Sequence, residues 1–217
     1  MALAPDGARN ACRYCCAFKN IGAKIIFFFI SVNKKYRVVK NLLGVILNIA
    51  FTTERLHIRF AQIADAAELF KLVNQANFTK YIGDKGIYTL DDAKKYIKDS
   101  FISAHKQHGF GPYIIALHDE TLVGIVGFYQ RAVLQYPDLG FALKDGFEKK
   151  GYIFEAANTL LNHRQNLGIN QVTAIARCDN RASKNVLQKL GFKTQGQVII
   201  ESTNIAVDVY LLNTERN

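Results

Sequence analysis

Alternating and helically spaced apolar residues divide the middle of the chain into a strand and two helices. Segment 55–60 alternates polar and apolar side chains, which predicts a half-buried strand. Apolar residues then recur at helical spacing after Asp65, which is a fair N-cap. Thr89 and Asp92 have the spacing of a capping box and open a second helix. Between these helices, residues 79–86 are rich in turn formers and predict a loop.

The second half of the chain alternates strands with two further helices. Strands are predicted at 113–117, 122–129, 134–143, 172–176, 198–201 and 205–212, and helices at 151–167 and 182–190. Gly168 and Gly191 end the two helices. The resulting order, β-α-α-β-β-β-α-β-α-β-β, predicts a mixed α/β fold with antiparallel hairpins around a central βαβ unit.

The first fifty residues differ from the rest in charge and pattern. They hold eight Lys or Arg residues and one acid, so they carry +7 of the net charge of +10. Their apolar runs, 24–33 and 42–51, are too short to span a membrane, which needs roughly 20 apolar residues. We therefore expect residues 1–51 to be a basic apolar extension and residues 52–217 to form the domain. Our first interpretation is that the extension is not part of the working protein. A membrane-surface anchor and a signal peptide are the alternatives.

Charge and cysteine content limit the partners and the setting. Residues 51–217 are nearly balanced, with twenty basic and seventeen acidic residues, so we expect no nucleic-acid groove and no transmembrane segment. Three of the four cysteines, Cys12, Cys15 and Cys16, lie in the extension. A single domain cysteine, Cys178, favours a reducing, cytoplasmic setting without disulfides. No further metal ligand follows Cys15 at suitable spacing, so no metal site is expected.

Two segments carry the candidate chemistry. The first, EKKGYIFEA at residues 148–156, places Gly151 where a loop becomes a helix, and such a helix start presents free N–H groups that suit a diphosphate. An ordinary loop-to-helix joint is the alternative. The second segment holds Asn180 and Ser183 at a strand-to-helix junction and ends in LQKLGF at residues 187–192. Asn and Ser are first of all helix caps in this position, and a cap can also have a functional role.

Together these motifs resemble the acyl-CoA-binding half of the GNAT N-acetyltransferases, and most of all the branch of ribosomal-protein N-terminal acetyltransferases. The resemblance covers about residues 52–213 and implies a GNAT-like mixed sheet of about six to seven strands around a βαβ unit that binds CoA. It also implies acetyl-CoA as the cosubstrate. The residues that it implies for cosubstrate binding are Phe141, Leu143, Lys149, Lys150, Gly151, Tyr152, Ile153, Asn180 and Ser183. At Phe141 and Leu143 the contact is made by the backbone of a strand that diverges from its neighbour.

The resemblance further implies direct acetyl transfer to a primary amine. Ser183, or a water that it holds, is the candidate acid for the leaving thiolate, because Leu187 replaces the Tyr that many members use. Asp138 and Glu201 are the candidate bases, and Glu201 is equally compatible with an exposed carboxylate on a strand. Glu148 and Ile153 also depart from the family pattern at the diphosphate loop.

The acceptor is not defined by any motif. We expect it to bind in the loops at 77–90 and 129–138 and at the final hairpin. A protein N-terminus and a small amine, such as a polyamine or an antibiotic, are both compatible acceptors. A CoA-binding sensor without turnover is the alternative outside enzymes. A monomer and a homodimer are equally compatible with the sequence.

Overall fold

The backbone forms one mixed sheet in this computed structural model, which describes residues 28–33, 36–40, 46–200 and 204–213, with side chains from residue 50 onward. The ten strands of the described residues are β1 (Phe28–Asn33), β2 (Tyr36–Lys40), β3 (Ile46–Thr52), β4 (Leu56–Arg59), β5 (Pro112–Leu117), β6 (Leu122–Tyr129), β7 (Asp138–Leu143), β8 (Thr173–Arg177), β9 (Phe192–Ile200) and β10 (Ile205–Leu212). They lie in the order β1-β2-β3-β4-β5-β6-β7-β8-β10-β9. All neighbours are antiparallel except β7 and β8, which are parallel.

Six α-helices accompany the sheet within these residues: α1 (Ala66–Val73), α2 (Ala76–Tyr81), α3 (Leu90–Tyr96), α4 (Ser103–His108), α5 (Tyr152–His163) and α6 (Arg181–Lys189). The predicted capping box at the start of α3 is confirmed, since Thr89 Oγ1 accepts from the Asp92 N–H at 3.1 Å. Gly168 closes the α5 segment in a left-handed conformation, as predicted. Asp65 precedes α1 but does not cap it, because its carboxylate binds Arg59.

The two faces of the sheet bury separate apolar cores. Strand β5 contributes to both, since Tyr113 and Ile115 point to one face and Ile114 to the other. The first core is completed by α5 and α6, and the second by α1, α3 and the residues that follow α3. Burying each large apolar side chain contributes roughly 1.5–3 kcal/mol. The sheet is therefore fixed from both sides, and its strand ends are held in place for the site.

The mixed α/β fold predicted from the sequence, with antiparallel hairpins around a central βαβ unit, is confirmed. Seven strands, β4 to β10, correspond to the seven predicted ones. Three details were wrong. Residues 76–81 form α2 inside a segment predicted in part as loop, a π-helical turn at Ile97–Ile102 interrupts the second predicted helix, and β9 begins at Phe192 rather than at 198.

The described part of the extension continues the sheet beyond β4. Strand β3 pairs with β4 and crosses the boundary expected after residue 51. Cys12, Cys15 and Cys16 lie outside the described residues. In the parts of the chain that the structure describes, no helix has the length and apolar character needed to cross a membrane.

Candidate active site

The parallel strands β7 and β8 separate immediately after they meet. Only one register pair joins them, Asp138 with Thr173, and it is reinforced by the Thr173 N–H, which donates to the Pro137 carbonyl at 2.9 Å. Beyond Asp138, β7 keeps its partner β6 on one side but has no strand partner on the other among the residues that the structure describes. The opening exposes a strand edge with free backbone groups to any ligand that enters between the two strands.

An open cavity of about 690 Å³ occupies this opening. Its walls come from the diverging strands, from the start of α6 and from the loops that follow α2 and β6. Among the residues of the two strands and α6 that line it are Leu139, Phe141, Ile175, Asn180, Ser183 and Leu187. The π-helical turn contributes Asp99 and Ser100, so the irregular turn inside the second predicted helix also faces the cavity.

Asp138 lies at the point where the strands separate. Its side chain is 1% exposed and lines the cavity, and Arg131 Nε donates to both carboxylate oxygens at 3.0 Å. Burial raises the pKa of Asp138, whereas the Arg131 charge opposes that rise. A buried carboxylate with a raised pKa and a single cationic partner is suited to accept a proton near neutral pH.

The start of α6 brings two more predicted residues into the cavity. Asn180 is the N-cap, and its Oδ1 accepts from the Ser183 N–H at 3.1 Å. Within the described residues, the Asn180 side-chain N–H groups and the Ser183 hydroxyl have no partner. These donors are therefore available to a ligand that lies between β7 and α6. Leu187, one turn further along α6, packs into the core. Its hydrocarbon side chain has no acidic proton to donate.

The loop before α5 turns through several left-handed backbone conformations. Gly146, Lys149 and Gly151 all have left-handed backbones, with φ of 85°, 60° and 81°. The Glu148 carboxylate turns back and accepts from the Gly146 N–H at 2.8 Å, so it lies within its own turn. Ile153 is 6% exposed in the core, so only its backbone N–H can serve a ligand of this loop.

An ion pair that the sequence interpretation missed holds this loop against the sheet. Arg55 Nε donates to Glu155 on α5 at 2.7 Å, and Arg55 Nη1 donates to the Lys150 carbonyl at 2.9 Å. The same guanidinium lies 4.9 Å from the centre of the Tyr152 ring. Thr53 adds a hydroxyl hydrogen bond to the Glu155 carboxylate. The sequence did offer a signal, because Arg55 lies close to residue 52, where the segment that resembles the GNAT family begins. Its partners, however, are about a hundred residues away in the chain.

The structure brings only part of the predicted set together. Phe141, Asn180, Ser183 and Asp138 line one cavity. Leu143 lies on the same strand but is not part of the wall, and Lys149, Lys150 and Tyr152 lie at the separate loop before α5. Glu201 lies outside the described residues, although Ile200 and Ile205, which flank the final turn, line the cavity.

Comparison with known proteins agrees with this geometry. A family model described as an acetyltransferase (GNAT) domain matches residues 55–193. The chain is 27% identical over 147 residues to an uncharacterized N-acetyltransferase of Bacillus subtilis, YnaD, and the match covers 67% of this chain and 83% of that protein. The chain therefore belongs to the GNAT family of acyltransferases.

Solved structures share the fold at low sequence identity. The RimL ribosomal-protein alpha-N-acetyltransferase superposes with a TM-score of 0.66 at 19% identity, covering 77% of this chain and 94% of that one. The microcin self-immunity acetyltransferase MccE, solved with acetyl-CoA and AMP, has a TM-score of 0.63 at 20% identity, with coverages of 73% and 92%. RimL has also been solved in complex with coenzyme A. The resemblance to the GNAT family drawn from the two motifs is confirmed.

Proposed function

We propose that this protein moves the acetyl group of acetyl-CoA directly onto a primary amine, and that protein N-termini and small amines are the acceptors to test. The observation that carries the proposal is the opening between β7 and β8. It places a buried carboxylate, a free hydroxyl and an unpaired strand edge around one cavity. Direct transfer needs a base, an acid and an oxyanion site, and these groups can supply all three.

The cosubstrate is proposed to enter along the loop before α5. The diphosphate accepts hydrogen bonds from the backbone N–H groups at 149–153, at the positive end of the α5 dipole. Lys149 and Lys150 are exposed and add charge attraction, while Arg55 fixes the loop conformation from behind. The Asn180 amide donates to the pantetheine arm as the arm passes between β7 and α6.

The transfer step uses groups at the strand opening. The amine nitrogen attacks the thioester carbonyl, the N–C bond forms and the C–S bond breaks. Backbone N–H groups at Phe141 and Leu143 stabilise the charge on the carbonyl oxygen. Asp138 or Glu201 takes the proton from the acceptor ammonium, and Ser183, or a water bound to it, gives a proton to the CoA thiolate. No side chain becomes acylated.

Replacing Ser183 by Ala tests the proposed acid. Thiol release from acetyl-CoA should fall by about 10²–10⁴ in kcat if Ser183 acts directly, and less if water replaces it. CoA affinity and stability should be nearly unchanged, because Ser183 contributes to the α6 cap only through its backbone N–H. Asn180→Ala is the matched comparison, since it removes the cap and should cost roughly 1 kcal/mol of stability. Full turnover in Ser183→Ala would rule out the acid role.

The two candidate bases are separated by their pH profiles. Asp138→Asn and Glu201→Gln are each compared with the unchanged protein across pH in kcat/KM. The variant that removes the base loses the acidic limb, because that limb reports the base in the free enzyme. If neither change alters the limb, neither carboxylate is the base.

A sensor without turnover remains the competing function. It is favoured if the protein binds CoA but releases no thiol with any amine or peptide N-terminus. The same panel compares a peptide N-terminus with spermidine and an aminoglycoside, and so separates the protein and small-molecule acceptors. A reducing cytoplasmic setting and a monomeric or homodimeric state are part of the proposal, the former supported by the single domain cysteine.

The boundary between extension and domain is also a proposal. Expressing the chain from Thr52 onward and titrating it with CoA by calorimetry tests whether residues 52–217 suffice. The truncation exposes the edge of β4 that now pairs with β3. Unaltered affinity supports the boundary. Insoluble protein, or lost binding relative to the full chain, would show that the extension belongs to the fold.

A further inference from the structure

Two cations face the cavity at the end where the acceptor amine is expected. Lys85, from the loop after α2, and Arg131, from the loop after β6, both line it. These loops are the two in which the acceptor site was expected from the sequence. Arg131 touches Asp138 only through Nε, and its two terminal nitrogens have no acceptor among the described residues. Lys85 likewise has no hydrogen bond or ion pair within the described parts of the chain.

The described acids on the cavity wall compensate only one of these two positive charges. Of the described carboxylates that line it, Asp99 is bound by Lys95 at 2.5 Å and Asp138 by Arg131. Burial in the cavity mouth and the nearby Arg131 charge both lower the pKa of Lys85, although solvent still reaches the side chain. Asp138 occupies only the Nε edge of Arg131, so Lys85 and the terminal nitrogens of Arg131 face the cavity without a described anionic partner, and a bound anion would offset the repulsion between the two cations.

We infer that the acceptor carries its own anion, a carboxylate or a phosphate close to the amine, and that Lys85 and the terminal nitrogens of Arg131 bind it. This inference rests on the proposed acetyl transfer. The planar Arg131 guanidinium matches two oxygens of a carboxylate or phosphate, and Lys85 adds a point charge. Because Asp138 holds the other edge of Arg131, an amine at Asp138 and an anion at Arg131 belong to one small unit, such as an α-amino acid or an aminoalkyl phosphate. A polyamine has the opposite charge and is disfavoured.

Matched acceptor pairs test this on the full chain at saturating acetyl-CoA. Phenylalanine is compared with phenylalaninamide, and O-phosphoethanolamine with ethanolamine, with spermidine as the cationic acceptor. We expect kcat/KM to favour the anionic member by about tenfold or more, the range of one charged hydrogen bond. A larger preference in the phenylalanine pair indicates a carboxylate site, and a larger preference in the O-phosphoethanolamine pair indicates a phosphate site.

Variants of Lys85 connect the preference to the residue. Lys85→Gln should lower kcat/KM for phenylalanine and O-phosphoethanolamine by about tenfold and leave it unchanged for phenylalaninamide and ethanolamine, and Lys85→Glu should shift the preference toward spermidine. Lys193→Gln on β9 is the matched control, because that lysine is exposed and does not line the cavity. It should change neither rate.

A binding measurement separates this inference from the proposed function. The CoA-loaded protein is titrated with O-phosphoethanolamine and with phenylalanine by calorimetry. Binding that is lost in Lys85→Gln, without turnover of any amine, would support the anion site and count against acetyl transfer. Equal rates within each pair, insensitive to Lys85→Gln, would overturn the anion site while acetyl transfer stands. The anion site is also overturned if neither O-phosphoethanolamine nor phenylalanine binds and neither is preferred over its counterpart without the anion.

Discussion

The proposed cosubstrate and acceptor ends of the site are built in different ways, and the loop before α5 lies outside the cavity wall. At the cosubstrate end, that loop and the cap of α6 come from one segment of about forty residues, and most of the proposed binding groups are backbone N–H groups. At the acceptor end, Lys85, Arg131 and Asp138 come from separate loops and a strand, and all of them act through side chains.

The contrast separates groups that depend on local backbone conformation from groups that depend on tertiary placement. A CoA diphosphate needs a helix start and a left-handed turn, which depend on glycine positions and spacing. An acceptor site needs charges that converge from distant parts of the chain. The cosubstrate end should therefore fail when backbone conformation changes, and the acceptor end when a charge changes.

The largest effect is expected from a charge placed at the cosubstrate end. Gly151→Glu puts a carboxylate beside the diphosphate, and like charges about 4 Å apart repel by about 4 kcal/mol at an effective dielectric of about 20, so CoA affinity should fall about a thousandfold. Calorimetric titration of CoA checks this, with circular dichroism to confirm folding.

Gly168→Glu is the control for that change. Gly168 has nearly the same left-handed φ, 77° against 81°, and nothing within 4 Å of an added Cβ, but it lies at the other end of α5. CoA affinity should be retained. Equal losses in the two variants would mean that the effect arises from backbone strain, and the diphosphate would not be placed at Gly151.

The backbone conformations around the proposed cosubstrate site were the part that the sequence could predict. Gly151, Asn180 and Gly168 act through local backbone geometry, which depends on neighbouring residues and leaves a readable pattern. The ion pair of Arg131 with Asp138 left no such pattern, because six residues of loop separate the two and only the folded loop aligns them. For the same reason, the proposed anion specificity at the acceptor end rests on the folded geometry and not on a sequence pattern.

Tertiary packing explains the remaining errors. Residues 79–81 are helical despite their turn formers, because Phe78 is buried in the second core and anchors α2. The first half of β9 is polar and exposed, so it shows no alternation, and its pairing with β10 maintains it as an edge strand. Neither the burial of Phe78 nor the pairing of β9 with β10 can be inferred from neighbouring residues in the sequence.

At the acceptor end, Arg131→Gln should have the next largest effect. It leaves the buried Asp138 carboxylate without its cation, at a cost of about 1–3 kcal/mol of stability near pH 7. The folded pKa of Asp138 is already raised, and removal of Arg131 raises it further. The loss should therefore be full above the folded pKa of the variant and absent below the folded pKa of the unchanged protein, because there the Asp138 carboxyl is protonated in both folded proteins.

Urea unfolding at several pH values measures this dependence, and kcat/KM profiles add a second readout. If Asp138 is the base, the acidic limb of Arg131→Gln moves to higher pH than in the unchanged protein. A limb at the same pH, together with a pH-independent stability loss, would show that Arg131 does not control the ionisation of Asp138.

Arg55→Ala should produce a smaller loss confined to the cosubstrate end. The side chain is 45% exposed, so its ion pair with Glu155 contributes only about 1 kcal/mol. We expect KM for acetyl-CoA to rise about fivefold, with little change in kcat, because the diphosphate loop loses its support and the transfer groups are untouched. Arg55→Lys should bring the KM for acetyl-CoA part of the way back, because lysine restores the positive charge but cannot make the bidentate contact of a guanidinium. A kcat loss with unchanged KM would contradict the positioning role.

The smallest effect is expected from the helix that leads to the acceptor wall. Thr89→Ala removes the Oγ1 acceptor of the α3 cap and should lower stability by roughly 1 kcal/mol. CoA affinity should not change, because α3 does not contact the diphosphate loop or α6 through any described hydrogen bond. Thermal unfolding and CoA titration of the same preparation compare the two quantities. A drop in CoA affinity would show that the two ends are coupled.

A crystal structure of the full chain with bound CoA tests the central claim most directly. The account expects diphosphate oxygens about 2.8–3.0 Å from the backbone nitrogens at 149–153, and the thiol between Phe141 and Ser183 in the opening between β7 and β8. A diphosphate bound away from the start of α5, or a thiol outside that opening, would contradict it.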